Sequence, residues 1–126
     1  MARFLWICFG GACGTGARYL LGLWATKTLG AFPFGTMIVN VAGCFFIAAI
    51  MHVATTTPLI SPTLRLALAT GVMGGLTTYS SFNLETTSLL RDKAYGAAAL
   101  NFSATVGACF VAGLLGLVVA RKIVGP

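Results

Sequence analysis

Nine consecutive residues, Gly74-Gly75-Leu76-Thr77-Thr78-Tyr79-Ser80-Ser81-Phe82, join two helix-weakening glycines to four hydroxyl side chains and a phenol, with no charge among them. Each glycine in a helix interior is less favourable than alanine by roughly 1 kcal/mol. The stretch lies midway through an apolar segment. In lipid every freed backbone group must be satisfied, so such a segment survives only packed in protein or lining a wet cavity. Carbonyls, hydroxyls and ring edges offered at mid-membrane depth predict an ion or solute pathway.

Other polar side chains fall inside apolar segments. Arg18 lies toward one end of the first, where an arginine near the centre would cost roughly 2.5–3.5 kcal/mol on insertion scales. It either snorkels to the interface or forms an electropositive funnel for anions. Asn40 is the strongly polar side chain of the second segment, and its amide offers two donors and an acceptor. It reads as interhelical glue or as a pore-lining donor. Asn101, Thr105 and Cys109 stand four apart and form a mildly polar stripe. Beyond the break Tyr79 and Phe82 share a face. Core packing is the plainer role for two aromatics, but their electropositive edges can also solvate a small anion. Glu85 completes that face, where a carboxylate would repel an anion, so it is expected at the helix end, paired with a cation or with backbone donors.

The elements that carry these groups are membrane helices. The chain has 126 residues, 58% of them apolar and only 8% charged, with a mean hydropathy of +0.95. A soluble domain carries roughly 25% charge. Four apolar stretches, about residues 4–26, 34–54, 64–90 and 95–120, each reach the ~20 residues that cross the hydrocarbon as a helix. The expected fold is therefore one all-α domain over residues 1–126, four transmembrane helices with the third broken near 74–78. Almost nothing remains for a soluble domain, so the chain is not expected to be an enzyme.

Connections are short and carry turn chemistry: Gly30 with Pro33, then Pro58 and Pro62 around Ser61, then Asp92 with Gly96. Ala104, Ala108, Ala112, Gly116 and Ala120 recur every four residues, a smooth seam for close helix approach. Gly10 and Gly14 give the first helix a similar face. Arg3 before the first apolar run resembles a signal peptide, but the run before Gly10 is too short and the segment continues to Trp24. The four cysteines form no C-x-x-C pair and are expected to be buried packing residues.

The net charge of +6 is spread along the chain and does not suggest nucleic acid. Arg3, Arg65, Arg121 and Lys122 fall on one side of four spans; Lys27, Arg91 and Lys93 fall on the other. Orientation follows the excess of Lys and Arg in cytoplasmic loops. Here there is almost no excess, which predicts insertion in both orientations and an antiparallel dimer.

Gly14-x-x-x-Arg18-Tyr19, Phe34-Gly35-Thr36-x-x-Val39-Asn40 and Gly71-x-x-Gly74-Gly75-Leu76-Thr77-Thr78-Tyr79-Ser80-Ser81-Phe82-Asn83-x-Glu85 together resemble the Fluc (CrcB) fluoride channels over nearly the full length. The last motif is the most specific, and it departs from the family pattern by placing Tyr79 where the first signature phenylalanine stands. The resemblance implies a dual-topology homodimer in a bacterial plasma membrane, with two antiparallel pores that shed fluoride and confer fluoride resistance. It makes Asn40 the pore-facing amide, Tyr79 and Phe82 the aromatic box, Ser80 and Ser81 the nearby hydroxyls and Arg18 the vestibule base. Asn101, Thr105 and Cys109 fall on a fourth-helix polar track. Backbone carbonyls of Gly74 and Thr77 would hold a structural sodium ion shared by both subunits. The Tyr79 hydroxyl is expected to slow the ion without removing selectivity.

Two rivals compete with a fluoride channel. A small dual-topology proton-coupled exporter of organic cations needs a membrane-embedded acid, and the first helix offers Arg18 instead. A non-transporting assembly subunit would explain the small-residue seams but not an uncharged polar break.

Overall fold

Long apolar runs without interior proline carry helix α1 through Ala2–Leu29, α2 through Phe34–Thr56 and α6 through Tyr95–Val124, in a computed structural model that describes residues 1–126. Each helix outruns its apolar stretch by a few residues. The last turns of α1 and α6 hold Lys27, and Arg121 with Lys122, where cations favour the helix C-terminus. Gly30 ends α1 with φ 87°, a left-handed conformation that glycine adopts without strain.

The segment between α2 and α6 is assembled from pieces: α3 (Pro62–Leu66), a π-helical stretch Ala67–Met73, α4 (Gly74–Leu76) and α5 (Tyr79–Arg91). Ser61 caps α3 by accepting from the Leu64 N–H at 3.3 Å, with Pro62 at the first position. The turn into α6 closes on Lys93, not on Gly96, which sits inside α6. Lys93 takes φ 59°, while the Ala94 and Lys93 N–H groups bond back to the Leu89 and Leu90 carbonyls. This is the Schellman closure, with lysine where glycine is usual.

The break falls within the expected stretch 74–78, at its threonines rather than at its glycines. Gly74 stays right-handed helical at φ −64°, ψ −36°, and the chain leaves the helix at Thr77 and Thr78, both extended. The glycines serve packing. A Cβ on Gly75 would stand 2.5 Å from the Gly11 carbonyl oxygen, and one on Gly14 would stand 2.1 Å from the Val72 carbonyl oxygen. Gly10 and Gly71 interlock in the same way, so α1 meets the broken segment backbone to backbone. Across the bundle α2 packs along α6, where Gly116 admits the Phe45 carbonyl. Ala112, Gly116 and Ala120 of the expected seam are buried; Ala104 and Ala108 are half-buried.

The start of α1 lies beside the start of the broken segment, and His52 near the end of α2 donates to the Gly125 carbonyl at 2.8 Å. Both termini and the connection before α3 therefore share one end of the bundle. Only 18 of 126 residues are buried, so most large apolar side chains point outward, an apolar surface suited to lipid rather than water. Helices α2 and α6 are individually long and apolar enough to cross a membrane. Cys8 and Cys13 are exposed, and Cys44 and Cys109 half-buried, all of them free. The expectation of four buried cysteines fails because the α1 face that carries Cys8 and Cys13 points away from the bundle.

Candidate anion pathway at the helix break

The break is held open by one amide. Thr78 donates its N–H to Asn40 Oδ1 at 2.7 Å, and Asn40 Nδ2 donates to the Thr78 carbonyl at 3.1 Å. The α2 side chain thus pairs with the extended residue as a neighbouring strand would. In an uninterrupted helix the Thr78 N–H would have gone to the Gly74 carbonyl, and the Ser81 N–H to Thr77. Here the Ser81 N–H goes instead to Thr78 Oγ1 at 3.1 Å, the N-cap of α5. Side chains have taken the donors from two carbonyls, Gly74 and Thr77. Gly43 makes room for this turn, since a Cβ there would stand 2.1 Å from the Thr77 methyl.

Two cavities meet at Thr78. The larger, about 810 Å³, is mostly apolar and is lined by Asn40, Gly74 and Thr77, by the rings of Tyr79 and Phe82, and by Thr105 of α6. The smaller, about 290 Å³, is polar and is lined by Arg18, Thr36, Ser81 and Glu85. Thr78 lines both. Its Oγ1 lies 3.0 Å from Ser81 Oγ and 3.3 Å from Ser80 Oγ, a small hydroxyl cluster at the junction.

The polar cleft contains unlike charges that do not pair. The ion pair in the chain is the exposed Arg91–Asp92 contact at 3.6 Å; Arg18 has no carboxylate within bonding distance. Glu85 overturns its expected placement. It sits midway along α5, not at the helix end, and Thr36 Oγ1 donates to its Oε1 at 2.6 Å. Its partner is a hydroxyl of α2, and Oε2 is buried with no partner.

On the other side of the junction the aromatics share one face. The Tyr79 and Phe82 centroids are 5.7 Å apart at 57°, and Phe82 stacks on Phe102 of α6 at 6.0 Å and 28°. Phe82 is 5% exposed and Tyr79 78%, so Phe82 is fixed within the chain while Tyr79 stands open in the large groove. Asn101 is buried between α5 and α6, donating to Thr86 Oγ1 at 2.9 Å and accepting from Thr105 at 3.5 Å. Thr105 reaches the large cavity and Asn101 does not line it.

The residues of this break and both cavities fall within a match to a family model described as CrcB-like protein, Camphor Resistance (CrcB), which covers residues 5–117. The chain belongs to the CrcB family. Relatives named "Fluoride-specific ion channel FluC" agree with it end to end. That of Sorangium cellulosum is 54% identical over 98% of both chains. That of Anaeromyxobacter sp. (strain K) is 48% identical over 99% of this chain and all of its own, and that of Geobacter sulfurreducens is 45% identical over 98% and 100%.

Within this member of the CrcB family, the structure brings together Asn40, Tyr79, Phe82, Thr105, Gly74 and Thr77 around one cavity, and Arg18 with Ser81 around the other. Ser80 is exposed and lines neither, which separates two serines that helix phase alone left equivalent. Sequence reasoning passed over Thr78, Thr36 and Thr86 as individual site residues. Thr78 had a readable signal, a threonine three residues before Ser81 at a helix start. The partners of Thr36 and Thr86 lie 49 and 15 residues away, with nothing local to mark them.

Proposed function

We propose that this protein is a passive, fluoride-selective channel that lets a bacterial cell shed fluoride across its plasma membrane. The observation that carries the reading is the full-length likeness to fluoride-specific channels, which runs through the whole of the break. The chemistry agrees. Hydrogen fluoride is a weak acid that enters uncharged, dissociates, and leaves its anion trapped unless a pore exists. Fluoride holds water tightly, so a path must replace that water with several weak donors and then release the ion. Arg18 at the cleft draws anions inward, the Thr78–Ser81 hydroxyls stand at the junction, and Tyr79 and Phe82 line the far side. Glu85 is tied to Thr36 by one oxygen, which limits the carboxylate charge presented to the route.

We infer four membrane spans, α1, α2, the broken segment and α6, and an antiparallel homodimer with two pores. The nearly even split of basic residues and the outward apolar surface support this reading. Gly74 and Thr77 fit a structural sodium ion at the dimer centre: both carbonyls have lost their helical donors, and a Cβ on Gly74 would meet nothing within 4 Å. Such an ion would supply the positive charge that lets carbonyls from two chains converge.

Fluoride efflux from liposomes, followed by an electrode with chloride as control, tests the channel. Fast fluoride and negligible chloride release is expected; proton-coupled uptake of an organic cation without fluoride flux would instead favour the exporter. Labelling a cysteine placed at one terminus tests topology. Labelling from a single side of the membrane would reject the antiparallel dimer.

A further inference from the structure

Two thiols, one on α2 and one on α6, line the wall of the large cavity. Cys44 follows Asn40 by one turn of α2, Cys109 follows Thr105 by one turn of α6, and all four line the large cavity. The helices are in close contact at this level: a Cβ on Gly113, one turn beyond Cys109, would lie 3.8 Å from the Cys44 carbonyl oxygen. Cys44 and Cys109 therefore face one cavity from two helices that touch at this level. Both are half-buried and free, so they are anchored yet reachable from the cavity. Cys8 and Cys13 are on the exposed face of α1 and take no part.

We propose that Cys44 and Cys109 form a two-thiol site for a soft, linearly coordinated monovalent cation, Ag(I) or Cu(I), and that its occupation blocks anion passage. Thiolate sulfur selects soft cations over the hard ions of the medium. Two thiols on adjacent helices of one cavity wall can satisfy a two-coordinate ion, whereas Zn(II) would need further ligands, and the chain has no cluster of three or more His, Cys, Asp or Glu to supply them. The balance is simple. Two S–H bonds break, two metal–sulfur bonds form and two protons leave to water, so two thiolates and one monovalent cation carry one net negative charge. That charge sits one helical turn from Asn40 and Thr105, where it repels an approaching anion and fills space on the wall.

The blocking half of this proposal rests on the channel reading; the binding half does not. Purified protein in liposomes is assayed for fluoride efflux in chloride-free medium, with silver nitrate as probe. Micromolar silver is expected to cut efflux tenfold or more, and excess dithiothreitol to restore it. Cys44→Ala and Cys109→Ala, each measured against its own silver-free rate, should need roughly 100-fold more silver, the loss expected when one arm of a chelate is removed. A Cys8→Ala/Cys13→Ala double variant should keep full sensitivity. Binding is read separately by N-ethylmaleimide alkylation and mass spectrometry, in which silver should protect Cys44 and Cys109 together. Alkylation undiminished by silver overturns the site. Silver sensitivity that survives in Cys44→Ala, or that vanishes with Cys8 and Cys13, overturns it too. Protection without a change in existing flux overturns the block alone. Absence of flux before silver is added defeats the channel reading while the alkylation result still decides the site.

Discussion

Alanine placed at two adjacent glycines should give opposite results. In helix propensity the two changes are equivalent, each favouring the helix by roughly 1 kcal/mol. Their surroundings differ. A Cβ at position 75 would stand 2.5 Å from the Gly11 carbonyl oxygen and 3.0 Å from the Thr15 nitrogen, both backbone atoms that cannot rotate aside. Restoring ordinary contact at 3.4 Å requires α1 and α4 to part by about 0.9 Å. That opens the Gly10–Gly71 contact as well, because both helices are rigid. Overpacking of this kind costs about 1–3 kcal/mol. Two backbone contacts at 2.5 and 3.0 Å put the cost in the upper part of that range, about 2–3 kcal/mol, so after the propensity gain Gly75→Ala should be destabilised by about 1–2 kcal/mol. At position 74 a Cβ meets nothing within 4 Å, so Gly74→Ala should leave the chain's own fold as stable or slightly more so. Reversible unfolding in mixed detergent micelles, with SDS as denaturant, reads the difference directly. Fluoride efflux and subunit association measured on the same samples add the second half. If Gly74 faces a second copy, Gly74→Ala should lose association or flux while its chain remains folded. Equal destabilisation of both variants would refute the packing argument. Unchanged stability in Gly75→Ala would refute it equally.

Asn40→Leu removes both bonds to Thr78 and should abolish fluoride flux. It should destabilise by about 1–3 kcal/mol, less than two buried orphans would suggest because polar groups in membranes find other partners; flux within twofold of the parent would count against Asn40 as the strut of the break. Thr36→Val leaves Glu85 with neither oxygen bonded, and a loss of about 1–3 kcal/mol in the same unfolding assay is expected, with Thr36→Ser largely preserving stability. Tyr79→Phe should raise fluoride flux in liposomes with fluoride-over-chloride selectivity unchanged, since it removes a phenol from the open groove; equal or lower flux would count against this.

The membrane class, the four helical segments and the existence of a break were legible in the sequence because each depends on local composition. Apolar runs of sufficient length leave the backbone no alternative to helix in lipid. The signature around Gly74 to Glu85 likewise pointed to the family without any coordinates. What the sequence could not give was which residue does which job within the broken stretch. Glycine is ambiguous by nature: it weakens a helix, and it also lets another backbone approach. Gly75 is resolved only by Gly11, sixty-four positions earlier in the chain.

The same holds for the polar groups. Asn40 offered donors and an acceptor whose targets no spacing rule connects to Thr78, yet that pairing fixes where the helix stops. Glu85 was read as a helix-end group, and its place midway along α5 beside Thr36 became clear only when α2 was brought against it. Ser80 and Ser81 differ in surroundings because one residue is a 100° turn around a helix, and the phase of that helix is set by the cap at Thr78. Sequence alone determined that something polar is met inside the membrane. Tertiary structure decided which atoms meet it, because hydrogen bonds and close contacts between distant segments depend on ångström-scale placement that local pattern does not encode.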